Sequence, residues 1–159
     1  MIQTKQPFIM LRTTLAVLLI ATIAPSKVSG QTATGVALET IGALSSITVY
    51  NYYTIIGALS DGYEAGIYDD TVTIELIREQ QSSIEDISDQ MQALLESGFI
   101  TDSEDRQYIL DMQICLGSLF NQADWLLDYI ETGSEDDAEY FQDARSESWD
   151  CIVDFLGLE

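Results

Sequence analysis

The clearest pattern of apolar positions lies in the second half of the chain, after residue 69. Apolar side chains recur there at steps of three and four, with one step of seven from Ile77 to Ile84, which is the spacing of one face of an α-helix. The pattern predicts three amphipathic helices over about residues 70–97, 102–132 and 134–157. Their apolar faces are Ile77, Ile84, Ile87, Met91 and Leu94; Ile109, Met112, Leu116, Leu119, Ala123, Leu126 and Ile130; and Phe141, Ala144, Ser148, Cys151, Phe155 and Leu158.

Residues typical of helix ends flank these segments. Short polar side chains can accept hydrogen bonds from the first free N–H groups of a helix, and glycine adopts the left-handed conformation that ends one. The assigned residues are Asp70 and Ser134 as N-caps, Thr101 with Glu104 as a capping box, and Gly98 and Gly133 as helix stops.

An uncharged run, TIGALSSITVYNYYTIIGALS, occupies residues 40–60. Its β-branched and aromatic residues favour a strand on propensity alone, but helical spacing continues for longer than an ordinary strand. We therefore predict a first helix over about residues 33–60, too polar for a bilayer span. Its main face is predicted to be Leu38, Ile41, Leu44, Thr48, Tyr52, Ile55, Leu59 and Tyr63, and a second stripe Val36, Ala43, Ile47 and Tyr50, with Tyr53 beside it.

Four helices joined by short connections predict an all-α fold, an antiparallel up-down-up-down four-helix bundle. Gly62 and Gly66 supply the break between the first two helices. Residues 31–159 suit a single domain. A bundle covers one face of each helix, so the second stripe of the first helix becomes a candidate interaction face. The alternative is that packing within the bundle covers this stripe.

Residues 1–30 have the plan of a secretory signal peptide. Lys5 and Arg12 precede an apolar stretch at residues 15–24, and small residues follow it. We predict cleavage between Gly30 and Gln31 and a secreted or periplasmic protein. An uncleaved anchor is the alternative, but the apolar run is shorter than the roughly 20 residues that span a bilayer.

Charge restricts the partners. The formal net charge is -21, and the predicted mature chain, with three arginines and 27 acidic residues, carries -24. Such a charge disfavours nucleic acid and anionic membrane surfaces and favours cationic ligands. A simpler explanation is solubility in a salty or calcium-rich medium, where counterions screen the surface.

The two cysteines lie at equal distances from a predicted turn. Cys115 is 18 residues before Gly133, and Cys151 is 18 residues after it. Because each residue adds about 1.5 Å to a helix, a hairpin that turns at Gly133 places both sulfurs at one height. We predict a disulfide, which an exported protein can keep. Two buried free thiols are the alternative.

The chain contains no histidine, which excludes the common imidazole-based catalytic sites and histidine metal sites. No phosphate-binding or dinucleotide motif appears, and we expect no cofactor. Clustered carboxylates could bind calcium, without the spacing of an EF-hand loop. The weak metal candidates are Glu135, Asp136, Asp137 and Glu139, which can equally begin a helix.

These features predict a non-catalytic, exported interaction or structural module. Its partner would be a protein or a second copy that meets the first helix, or a cationic ligand drawn to the acidic faces. The alternative is a calcium-dependent binding protein that uses its clustered carboxylates.

Overall fold

The computed structural model describes residues 33–158, which form a bundle of four α-helices and contain no strand. The predicted signal peptide and its cleavage site lie outside the described residues. The helices are α1 (Ala33–Glu64), α2 (Asp70–Glu96), α3 (Ser103–Thr132) and α4 (Glu135–Leu156). The sequence pattern therefore located each helix, although α1 continues to Glu64, beyond its predicted end near residue 60.

The helix caps at the connection between α3 and α4 are the predicted ones, whereas the N-caps of α2 and α3 differ from the prediction. Gly133 ends α3 in the left-handed conformation, with φ 63°, and Ser134 caps α4. The N-cap of α2 is Asp69 rather than Asp70, because the Asp69 carboxylate accepts a hydrogen bond from the Val72 N–H. The third helix is capped by Asp102 rather than by Thr101, since Asp102 accepts the N–H groups of Glu104 and Asp105.

Helix α3 is the centre of the bundle. It packs against each of the other helices, whereas α2 and α4 do not contact each other. Its predicted apolar face is buried at every position, which places it in the core that it shares with α1, α2 and α4: Ile109, Met112, Leu116, Leu119, Ala123, Leu126 and Ile130.

Side-chain contacts define how the helices lie alongside one another. Arg78, near the beginning of α2, meets Glu131 near the end of α3, and Ser88, later in α2, accepts a hydrogen bond from Gln113. The partner position thus moves backward along α3 as α2 is followed forward. The contacts between α3 and α4 run in opposite directions along the two helices in the same way. Cys115 comes before Trp125 along α3, whereas its disulfide partner Cys151 comes after Tyr140, the ring partner of Trp125, along α4.

The orientation of α1 about its axis differs from the predicted one. Leu44 and Ile55, assigned from the sequence to the main buried face, are 58% and 41% exposed. Each is replaced in the interior by the residue that follows it, which lies 100° further around the helix. The buried side chains of α1 are Ser45, Val49, Tyr52, Ile56, Leu59 and Ser60.

Candidate interaction surface

The outward side of α1 is a long uncharged surface, here called the outer face of α1. Between Glu39 and Asp61 the chain has no charged residue, although its net charge is -21. The nearest charges along the helix are Glu39, exposed beside Val36 in the first turn of this surface, and Asp61 beyond its other end. The outer face consists of the exposed residues Val36, Thr40, Ala43, Leu44, Ile47, Asn51, Thr54, Ile55 and Ala58.

The predicted interaction stripe coincides with the outer face only in part. Val36, Ala43 and Ile47 are exposed, Val36 to 49% and Ile47 to 43%. Tyr50 is half-buried, and Tyr53 packs inward, with its ring centroid 5.3 Å from that of Trp149 on α4. The tyrosines therefore belong to the boundary with the bundle rather than to its outward surface.

Sequence reasoning missed Leu44 and Ile55, which contribute much of the apolar surface of the outer face. Both sides of α1 carry large apolar residues at helical spacing, so the periodic pattern alone could not decide which side is buried. The polar side chains Ser45 and Ser60 lie inside instead, and no sequence signal indicated that.

Specific contacts hold α1 in this orientation. The Tyr108 hydroxyl of α3 donates to the Gly42 carbonyl at 2.9 Å, and Tyr52 forms a hydrogen bond with Ser83 of α2. At the other end, Arg145 of α4 lies 3.7 Å from the Asp61 carboxylate. These contacts come from three different helices. Turning the outer face toward the core would break all of them.

Cys115 and Cys151 form a disulfide, as their equal spacing from Gly133 predicts, with Cα atoms 5.6 Å apart. A shallow surface recess lies beside the bond, lined by Asp111, Ile114, Cys115, Cys151, Asp154 and Phe155. Because both sulfurs are bonded to each other, the recess holds no thiol nucleophile. Its two carboxylates have no third ligating side chain beside them.

The carboxylates predicted as weak metal candidates begin α4. Among residues 33–158, no three acidic or sulfur side chains come together as a group that could hold a metal ion. The Asp136 N–H donates to the Ser134 hydroxyl, and the Asp137 carboxylate accepts a hydrogen bond from Thr132. Glu135 and Glu139 are exposed. The local role of this segment is to start a helix, where negative charge is favourable.

Acidic side chains from α3 and α4 also meet near this turn. Partial desolvation, followed by the negative charges of Asp124, Asp137 and Glu131, raises the pKa of Asp128 above its usual value of 3.8. Burial, together with the nearby Asp70 carboxylate, raises the pKa of Tyr63. Both shifts arise first from partial burial and then from neighbouring negative charges.

No helix among residues 33–158 combines the length and the apolar character needed to cross a membrane. Comparison with protein-family models, with curated proteins and with solved structures gave no match. Within the described residues, the outer face of α1 departs from the acidic character of the chain, because no charged residue lies between Glu39 and Asp61.

Proposed function

We propose that this protein is an exported, non-catalytic module that associates with a second copy of itself through the outer face of α1. The observation that carries the proposal is the exposure of Leu44, Ile47 and Ile55 on the uncharged stretch between Glu39 and Asp61 of a strongly acidic chain, with Val36 exposed just before Glu39. The proposal includes the antiparallel up-down-up-down arrangement and removal of residues 1–30. The disulfide and the apolar stretch before Pro25 support export.

Charge favours a second copy as the occupant. A basic partner would be attracted to carboxylates, and the outer face offers none between Glu39 and Asp61. An uncharged apolar surface is complementary to another such surface, and a second copy supplies one of identical length. Two-fold pairing would join the faces as a self-complementary interface. The remaining acidic surfaces of the two copies would repel each other.

The size of the surface indicates a reversible dimer. A helical face from Val36 to Ala58 is about 34 Å long and about 10 Å wide, which gives about 340 Å² per partner. Stable protein interfaces bury about 800 Å² per partner. We therefore expect association that depends on concentration, opposed by net charge and strengthened by added salt, which screens that charge.

The test is the molar mass of the mature protein, measured by sedimentation velocity over a concentration series at low and high sodium chloride. We expect a monomer–dimer equilibrium that shifts toward dimer as salt increases. Replacing Ile47→Asp places a carboxylate in the centre of both faces and should restore the monomer at every concentration. Circular dichroism of the variant should remain helical, because Ile47 is exposed.

Ile114→Asp is the matched control, because Ile114 is an exposed isoleucine, 62% accessible, on α3 and outside the outer face. This variant should dimerise like the unmodified protein. A wild-type chain that stays monomeric at high concentration and high salt would contradict self-association. So would equal loss of the dimer in both variants, which would point to net charge rather than to the face.

A further inference from the structure

Three helices each place one polar side chain in the interior without a hydrogen-bond partner. These side chains are Ser60 of α1, Gln122 of α3 and Ser148 of α4. Ser60 is 1% exposed, and Gln122 and Ser148 are 0% exposed. Both the oxygen and the nitrogen of the Gln122 amide are unpartnered. Buried polar atoms in folded proteins nearly always have partners, so a group of three requires an explanation.

The two serines differ from other hydroxyl residues of α1, such as Ser45 and Thr54. A serine or threonine inside a helix commonly donates to the carbonyl four residues earlier. Ser45 does so to Ile41 at 2.7 Å, and Thr54 does so to Tyr50 at 2.9 Å. Ser60 and Ser148 do not make this bond. Their hydroxyls therefore remain available to a partner in the interior.

The three side chains lie at neighbouring heights in the bundle. The ring contact of Tyr53 with Trp149 aligns α1 with α4, and the Arg145 guanidinium lies where a β-carbon at Gly57 would meet it. By this alignment Ser60 is level with about residue 142 of α4, and the disulfide aligns Gln122 with about residue 144. Ser148 itself lies on α4, beyond these two levels. The three side chains therefore lie between the levels of residues 142 and 148, which are about 9 Å apart along the bundle axis at 1.5 Å per residue.

We propose that Ser60, Gln122 and Ser148 form an internal site that binds water, at the junction of α1, α3 and α4. Water suits this site because a single molecule can both donate and accept, and internal waters usually make about three hydrogen bonds to buried polar groups. The Gln122 amide, which lies between the two serines in height, is the central ligand. It can donate to one water and accept from another.

The direct test is a crystal structure of the unmodified protein at a resolution that defines ordered water. We expect water within hydrogen-bonding distance of the Gln122 amide and of at least one of the two serine hydroxyls. An interior without water, or side chains that bond directly to one another, would overturn the proposal. The result does not depend on self-association, since the site lies within one chain.

A thermodynamic test uses double-mutant cycles, with thermal midpoints as the readout. If shared water links the groups, Gln122→Met combined with Ser148→Ala or with Ser60→Ala should shift the midpoint by less than the two single shifts together. Ser45→Ala is the matched control, because Ser45 is equally buried but satisfied by Ile41; its shift should add to that of Gln122→Met. Additive shifts in all three cycles would contradict a shared site.

Discussion

At the scale of single residues, Gly62 shows how one missing side chain shapes the connection between α1 and α2. The ring of Tyr68 folds back onto this glycine, and a β-carbon built there would lie 2.6 Å from Cε2 of the tyrosine. The Ile67 N–H also donates to the Gly62 carbonyl at 2.9 Å. A β-carbon at this position inside α1 would therefore have to displace the Tyr68 ring.

Replacing Gly62→Ala should destabilise the protein by about 1 to 2 kcal/mol, because an overpacked site must displace the Tyr68 ring. Gly117→Ala is the control, since a β-carbon at Gly117 on α3 meets no atom within 4 Å. That change should stabilise by up to about 1 kcal/mol through helix propensity. Urea unfolding measures both. Equal gains in the two variants would contradict the packing of Tyr68 on Gly62.

At Asp128, partial burial and nearby acidic side chains make the ionised carboxylate less favourable in the folded chain. Its raised pKa means that the folded chain holds the proton more tightly than the unfolded chain. The ionised carboxylate therefore lowers the free energy of unfolding, and this loss is fully present above the raised pKa. Asp128→Asn should therefore increase stability at neutral pH, by less than about 1 kcal/mol because the carboxylate is solvent-exposed. Thermal midpoints measured across a pH series provide the check.

The advantage of Asp128→Asn should disappear as the pH falls below 3.8, where the carboxyl is protonated in both states. Asp89→Asn, an exposed position on α2, changes the net charge by the same amount and is the control. We expect a smaller gain from Asp89→Asn. Equal gains at every pH would show that total charge, rather than the local group of acids, sets the cost.

At the scale of helices, the predictability of each element follows from how many apolar faces it has. Helix α3 has one such face, so residues such as Leu116 and Leu126 could be assigned to the core from spacing alone, and both are buried. Helix α1 is apolar on two sides and uncharged between Glu39 and Asp61, so its rotation depends on contacts with other helices, such as Tyr108 to Gly42. Those contacts are invisible in sequence spacing.

The buried polar group of Ser60, Gln122 and Ser148 could not be predicted from the sequence, for a related reason. Ser148 fell on the predicted apolar face of α4, but nothing along α1 or α3 indicated that Ser60 and Gln122 would be buried at neighbouring heights. Bringing them together requires the heights of three helices. The disulfide was predictable because it depends on one hairpin, whose turn at Gly133 the sequence marks clearly.

The link between α3 and α4 should contribute strongly to stability. The bond joins cysteines separated by 36 residues, and closing such a loop restricts the unfolded chain by about 3 to 4 kcal/mol. The Cys115→Ala, Cys151→Ala double variant should lose about this much free energy of unfolding, measured with urea. Reduction of the unmodified protein is the internal control and should give a similar loss. No loss in either case would contradict a stabilising disulfide.

At the scale of the whole molecule, the electrostatics are dominated by the repulsion among 27 acidic residues. Each of the three arginines of residues 31–159 contacts a carboxylate or a carbonyl: Arg78 meets Glu131, Arg106 donates to the Leu95 carbonyl, and Arg145 lies near Asp61. These few contacts leave most of the negative charge without a cationic partner in the described part of the chain. Counterions from the solvent must neutralise the remaining negative charge.

Added sodium chloride should therefore raise the thermal midpoint steadily between low salt and about 0.5 M, because screening weakens the repulsion of the folded state. Calcium chloride at matched ionic strength is the comparison for the calcium-binding alternative. We expect similar, gradual stabilisation by both salts. A sharp gain that saturates at stoichiometric calcium, absent with sodium, would favour a discrete calcium site instead.

The position of the disulfide has a consequence for how the protein would respond to proteolytic cleavage. The turn at Gly133 and Ser134 is the shortest connection in the bundle and lies inside the loop that Cys115 and Cys151 close. A backbone cut there would leave two fragments that remain covalently joined and packed along α3 and α4. A nicked molecule could in this way keep the outer face of α1 intact after its chain had been severed.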